Sequence, residues 1–155
     1  MKMAVWTAFG LALASLPGAA SFAEAKDQLE LQRDVLQAER KLLVSQNLEL
    51  TETEAKAFWP AFDEYAAAQR ALNDRLVKAI DDFGAAYDAI TDDKARELLE
   101  QSMTIREDRL ALRRKYLKRF ASALPGKKLA RFYQIDNKLD TLLDFELARA
   151  LPLVH

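Results

Sequence analysis

The sequence predicts an all-α fold of about four helices arranged as long helical hairpins, and three observations carry that prediction. The 155 residues include only 4 Gly and 4 Pro, whereas a β-rich chain of this length needs many more turn residues. Apolar residues recur at helical steps over long stretches. Residues suited to capping or breaking a helix stand where those stretches begin and end. Half of the residues are hydrophobic and 30% are charged, a globular and not a disordered balance.

Residues 1–23 read as a secretory signal peptide. Lys2 supplies the positive start, and residues 4–16 form an apolar run of about 13 residues, short of the roughly 20 that span a bilayer. Pro17 and Gly18 break the run, and Ser21-Phe22-Ala23 places cleavage between Ala23 and Glu24. The alternative is an uncleaved anchor. Cleavage would leave residues 24–155 as one helical domain in the periplasm. Without cysteine there is neither a lipidated cleavage site nor a disulfide framework, so helix packing must hold the fold.

The first helix is expected from Asp27 to about Asn47, with Leu29, Val35, Leu36, Leu42, Leu43 and Leu48 spread unevenly among charges. The second begins at Leu50-Thr51-Glu52-Thr53-Glu54, where Thr51 and Glu54 form a capping-box pattern. Phe58, Phe62, Tyr65, Leu72, Leu76, Ile80, Phe83, Tyr87 and Ile90 then make one stripe to residue 90, with a kink expected at Pro60. Thr91 caps a third helix running to about Ala123, with Asp92 and Asp93 at its positive end. That helix carries two stripes: Leu98, Ser102, Ile105, Leu112, Tyr116 and Phe120, and Leu99, Met103, Leu110, Leu117 and Leu124. Two stripes predict a wide apolar face touching two neighbours. Leu124-Pro125-Gly126 ends it, and a fourth helix bearing Leu129, Phe132, Ile135, Leu139, Leu142, Leu143 and Leu147 stops near Pro152.

Charge is unevenly spread. Removing Lys2 leaves 22 basic against 24 acidic residues, a net of −2. Residues 49–100 hold 13 acidic and 6 basic groups, whereas residues 105–131 hold 10 basic and 2 acidic. Either the acidic second helix neutralises the basic third, or Arg106, Arg109, Arg113 and Arg114 form a positive surface that attracts an acidic partner. Export argues against nucleic acid as that partner and leaves unfolded client chains or anionic headgroups.

Residues suited to catalysis are scarce. The single His is His155 at the end of the chain, no Cys is present, and no Glu-x-x-His pair exists, so neither a catalytic site nor a cofactor is expected. Asp136, Asp140 and Asp144 share one helix face; a solvated face is the expectation and a hard-cation site the alternative, so no metal is assigned. The aromatic run Phe58, Trp59, Phe62 and Tyr65 is either core packing or an exposed patch that grips other chains.

Leu50, Thr51 and Glu54 resemble the Leu-Thr-x-x-Gln motif of the Spy/CpxP group of periplasmic proteins, with Glu54 in place of Gln. The second copy would fall at Leu124-Pro125-Gly126-Lys127-Lys128, where only the helix-start role survives. Phe58-Trp59-Pro60, Arg131-Phe132-Tyr133-Gln134 and Leu151-Pro152-Leu153-Val154 look more like a set of exported proteobacterial helical proteins of no settled function. The Spy/CpxP resemblance implies a cradle-shaped antiparallel homodimer, coiled-coil packing, and ATP-independent binding of unfolded proteins or an envelope-stress adaptor role. The other expectation is a structural or interaction subunit of the envelope with one dedicated partner. In both, Arg106, Arg109, Arg113 and Arg114 make electrostatic contacts and Phe58, Trp59, Phe62 and Tyr65 apolar ones.

Overall fold

The computed structural model describes residues 27, 31, 35 and 38–154, so the signal peptide and the Ala23/Glu24 cleavage site lie outside the described residues. Among the described residues the chain forms four α-helices and no strand. Helix α1 covers residues 38–48, and residues 27, 31 and 35 are helical as well. It is followed by α2 (Glu52–Ala86), a 3-10 turn (Tyr87–Ala89), α3 (Asp92–Ala123) and α4 (Gly126–Ala150).

The helix starts are chemically specified. Thr51 Oγ1 accepts from the Glu54 amide, and Glu54 Oε2 accepts from the Thr51 amide at 2.7 Å, completing the capping box. Lys128 Nζ donates to the same Glu54 carboxylate at 2.7 Å and ties the start of α4 to that of α2. These bonds, with Lys128 contributing most, hold Glu54 below the usual carboxylate range. Thr91 Oγ1 caps α3 by accepting from the Lys94 amide. The second helix runs through Pro60, although a proline removes one backbone donor. It ends at Ala86 and not at residue 90, because the last turn tightens to 3-10 before Ile90 becomes extended.

Paired side chains set the directions. Arg119–Glu64 and Arg75–Asp108 run α3 antiparallel to α2. Arg113–Asp140 and Arg109–Asp144 run α4 antiparallel to α3. Arg40 and Arg131 place α1 antiparallel to α4, in the groove between α2 and α4. The bundle therefore alternates up and down along the chain.

The interior has three layers. At one end Val44, Leu48, Phe58, Ala61, Phe62, Tyr65, Tyr116, Phe120, Leu124 and Phe132 form one cluster. Its rings interlock, with Phe120 and Phe132 centroids 4.7 Å apart and Phe58 and Phe132 edge-on at 5.3 Å. At the other end Ile80, Leu143 and Leu147 form a smaller cluster. Between the two lies a polar layer built from Arg40, Gln69, Asn73, Arg109, Arg113 and Asp136.

Candidate functional site

The polar layer is an arginine–aspartate ladder. All its carboxylates come from one face of α4, at Asp136, Asp140 and Asp144, because steps of four residues stack on a helix. Its guanidinium groups come from α1 (Arg40) and α3 (Arg109, Arg113). Arg40 donates to Asp136 Oδ1 and, at 2.8 Å, to Asp140 Oδ1. Arg113 reaches Asp136 Oδ2 at 3.3 Å and Asp140 Oδ2 at 2.9 Å. Arg109 reaches Asp144 Oδ1 at 3.3 Å and donates to Asn73 Oδ1 at 2.8 Å. Asp136 is 1% exposed, yet its oxygens also accept from the Tyr65 hydroxyl at 2.7 Å. Gln69 spans the layer: its carbonyl accepts from Arg40 at 2.7 Å, and its amide donates to Tyr65 Oη at 2.9 Å. Burial, then the charge of Asp136, pushes the Tyr65 phenol well above its ordinary range. Burial also raises Tyr133, to about 12; its hydroxyl donates to the Arg113 carbonyl. Burial opposes the charge on Arg113, but Asp140 and Asp136 outweigh it and raise its pKa.

This ladder corrects two expectations. The aspartate row is not a solvated face along its whole length: Asp136 and Asp140 are 1% and 17% exposed, Asp144 is 54% exposed, and each carboxylate meets a guanidinium. Arg109 and Arg113 do not present free charge for a partner, since their side chains are 16% and 25% exposed and turned into the ladder. Neutralisation of α3 by α2 is only part of the charge balance: Arg75–Asp108 and Arg119–Glu64 cross that interface, while α4 takes Arg109 and Arg113.

The aromatic run resolves in favour of core packing. Phe58, Phe62 and Tyr65 are at most 1% exposed, so they cannot grip another chain in this arrangement. Trp59 is half-buried at the edge of the cluster, edge-on to Phe58 and Phe62, with Lys41 Nζ 5.3 Å from its ring centroid.

The exposed apolar surface lies elsewhere. The first stripe of α3 serves both α2 and α4: Leu98, Ile105, Tyr116 and Phe120 are buried. Of the second stripe only Leu124 is buried; Leu99, Met103, Leu110 and Leu117 are 63%, 55%, 50% and 44% exposed. The two expected neighbours, α2 and α4, thus both lie on the first stripe, and no described residue covers the rest of the second. At 3.6 residues per turn these four positions fall within about 40° of one another. Arg106 lies on the same face and Arg114 beside it, and both are exposed. Leu99 also lines an apolar groove of about 270 Å³ with Leu76, Ile80, Phe83, Leu98 and Leu151, which extends the patch around the bundle end. No described helix is long and apolar enough to cross a membrane. No protein-family model matches the chain, and no curated protein or solved structure matches it.

Sequence reasoning missed Arg40, Gln69 and Asn73. The signal was present: Arg40 stands four and eight residues before Val44 and Leu48, and Gln69 fills the gap between Tyr65 and Leu72. A polar residue on an apolar stripe needs a buried partner.

Proposed function

We propose that this is a non-catalytic periplasmic protein-binding module, an ATP-independent chaperone or envelope-stress adaptor, that holds unfolded or partner proteins on the outer face of α3. The observation that carries the reading is the exposed stripe of Leu99, Met103, Leu110 and Leu117 set beside Arg106 and Arg114. Contiguous exposed apolar surface on a helix is characteristic of an interaction site. Covering four half-exposed side chains yields about 4 kcal/mol before ordering costs, a scale suited to weak, reversible holding. The two arginines draw acidic segments to the face at long range. The signal-like residues 1–23 and the resemblance of Leu50, Thr51 and Glu54 to the Spy/CpxP motif support the same reading.

A structural subunit with one dedicated partner is the second reading. The narrowness of the stripe favours it, since a narrow apolar band along one helix is the seam that a single partner helix packs against.

The test is client binding by the chain from Glu24 across a salt series, with Arg106→Glu/Arg114→Glu beside it. The double variant should weaken binding at low salt and converge on wild type at high salt, because exposed charges are screened. Unchanged affinity and salt dependence would remove the arginines from the reading.

A further inference from the structure

We propose that α1 is exchangeable, and that two copies of this chain trade their α1 helices to form a dimer. The contacts of α1 lie on one side. Arg40, Val44 and Leu48, at steps of four, are buried between α2 and α4, while Leu42 on the opposite side is 54% exposed. The groove that receives them is complementary in charge and shape. Asp136, Asp140 and the Gln69 carbonyl surround the Arg40 guanidinium, and the ring cluster receives Val44 and Leu48. Beyond the helix end, Lys128 Nζ donates to the Glu49 carbonyl at 2.7 Å and Arg131 to the Asn47 carbonyl, so α4 also caps α1. The contacts of Arg40, Val44, Leu48 and the Asn47 carbonyl, which lie before the joint, can be made equally by the α1 of a second copy.

Only the joint distinguishes the closed chain from the exchanged one. Residues 49–51 turn α1 back against α2, and the turn is made by Glu49 at φ 48°, the only non-glycine residue with positive φ among the described residues. Gly is the residue that occupies this region without steric cost. A short hinge held in a strained conformation favours exchange, because opening the hinge releases the strain while the docked contacts are remade in trans. The acidic groove also makes the undocked monomer unfavourable: without Arg40, Asp136 and Asp140 share Arg113 as their one ionic partner among the described residues. Exchange is therefore expected to pass through a brief opening and to leave no long-lived open chain.

The chain from Glu24 is refolded from urea at several protein concentrations and its mass measured by light scattering. A dimer fraction that rises with concentration is expected. Glu49→Gly, which relaxes the closed joint and leaves the groove intact, should weaken dimerisation about tenfold or more. A cysteine pair, Lys41→Cys/Asp63→Cys, then separates exchange from other dimers, since Lys41 Nζ and Asp63 Oδ1 meet at 2.6 Å and the chain has no cysteine of its own. A short bismaleimide applied to the dimer fraction should give a covalent dimer on a denaturing gel. A chain that stays monomeric at every concentration, a dimer whose cross-link stays within each chain, or a dimer indifferent to Glu49→Gly would overturn the proposal.

Discussion

Replacing Arg40 with Met tests the polar layer most severely. The side chain of Arg40 is 8% exposed and that of Asp136 1%, so the pair is shielded from water. Deleting one partner of a buried pair costs about 3–5 kcal/mol, because the remaining charge stays buried. Here Arg113 at 3.3 Å, the Tyr65 hydroxyl and Gln69 remain beside Asp136, so the lower end applies, about 3 kcal/mol. At this chain length that corresponds to a fall in Tm of about 10 °C. The assay is urea unfolding followed by circular dichroism and by Trp59, the only Trp in a chain beginning at Glu24. Adding Asp136→Asn should recover part of the loss, giving a coupling of about 1–3 kcal/mol in the double-mutant cycle. Lys41→Met is the control: Lys41 and Asp63 are both more than half exposed and should contribute less than about 1 kcal/mol. A cost for Arg40→Met no larger than that of Lys41→Met would refute the buried-ladder account.

Other perturbations have separate signatures. Phe132→Ala empties the centre of the ring cluster, where Phe132 is fully buried against Phe58 and Phe120, and should cost about 3–5 kcal/mol by urea unfolding. Thr51→Ala removes the cap of α2 and should cost about 1 kcal/mol. Because Glu54 is lowered from the model-peptide value of 4.5, its contribution is present above that pH and lost as pH falls through its folded value. Acid unfolding of Glu54→Gln should accordingly be flatter below pH 4.5 than that of wild type. Tyr133 is raised to about 12, so its contribution is complete below pH 10 and lost as pH rises toward 12. An alkaline absorbance titration should show its late ionisation, and Tyr133→Phe should remove that step.

Much of the fold was legible because helices advertise themselves locally. Thr51 with Glu54, Thr91 with Asp92 and Asp93, and Leu124-Pro125-Gly126 are short-range signals, and the helices begin and end beside them. The end of α2 was less legible: Phe83, Tyr87 and Ile90 keep helical spacing, but the tightening at residues 87–89 depends on how the chain turns into α3. The site was harder to read because burial is a tertiary property. Phe58 looked as available as Trp59, and Arg113 as available as Arg114, although neighbours in sequence differ by about 100° around a helix. Only the position of α4 decides that Arg113 meets Asp136 while Arg114 faces outward. Likewise, the second stripe of α3 announced an apolar surface, but its spacing could not say whether this chain covers it.

The most direct test of the account is suppression of aggregation by the chain from Glu24, without ATP, for several unrelated denatured proteins, compared with Leu110→Ser/Leu117→Ser. These two side chains are exposed, so the variant should keep its fold while losing much of the apolar stripe. The account predicts that near-stoichiometric wild-type protein protects most clients and that the folded variant protects them poorly. Equal protection by both would place client holding away from α3, and protection by neither would contradict the chaperone reading and turn the search to a dedicated envelope partner.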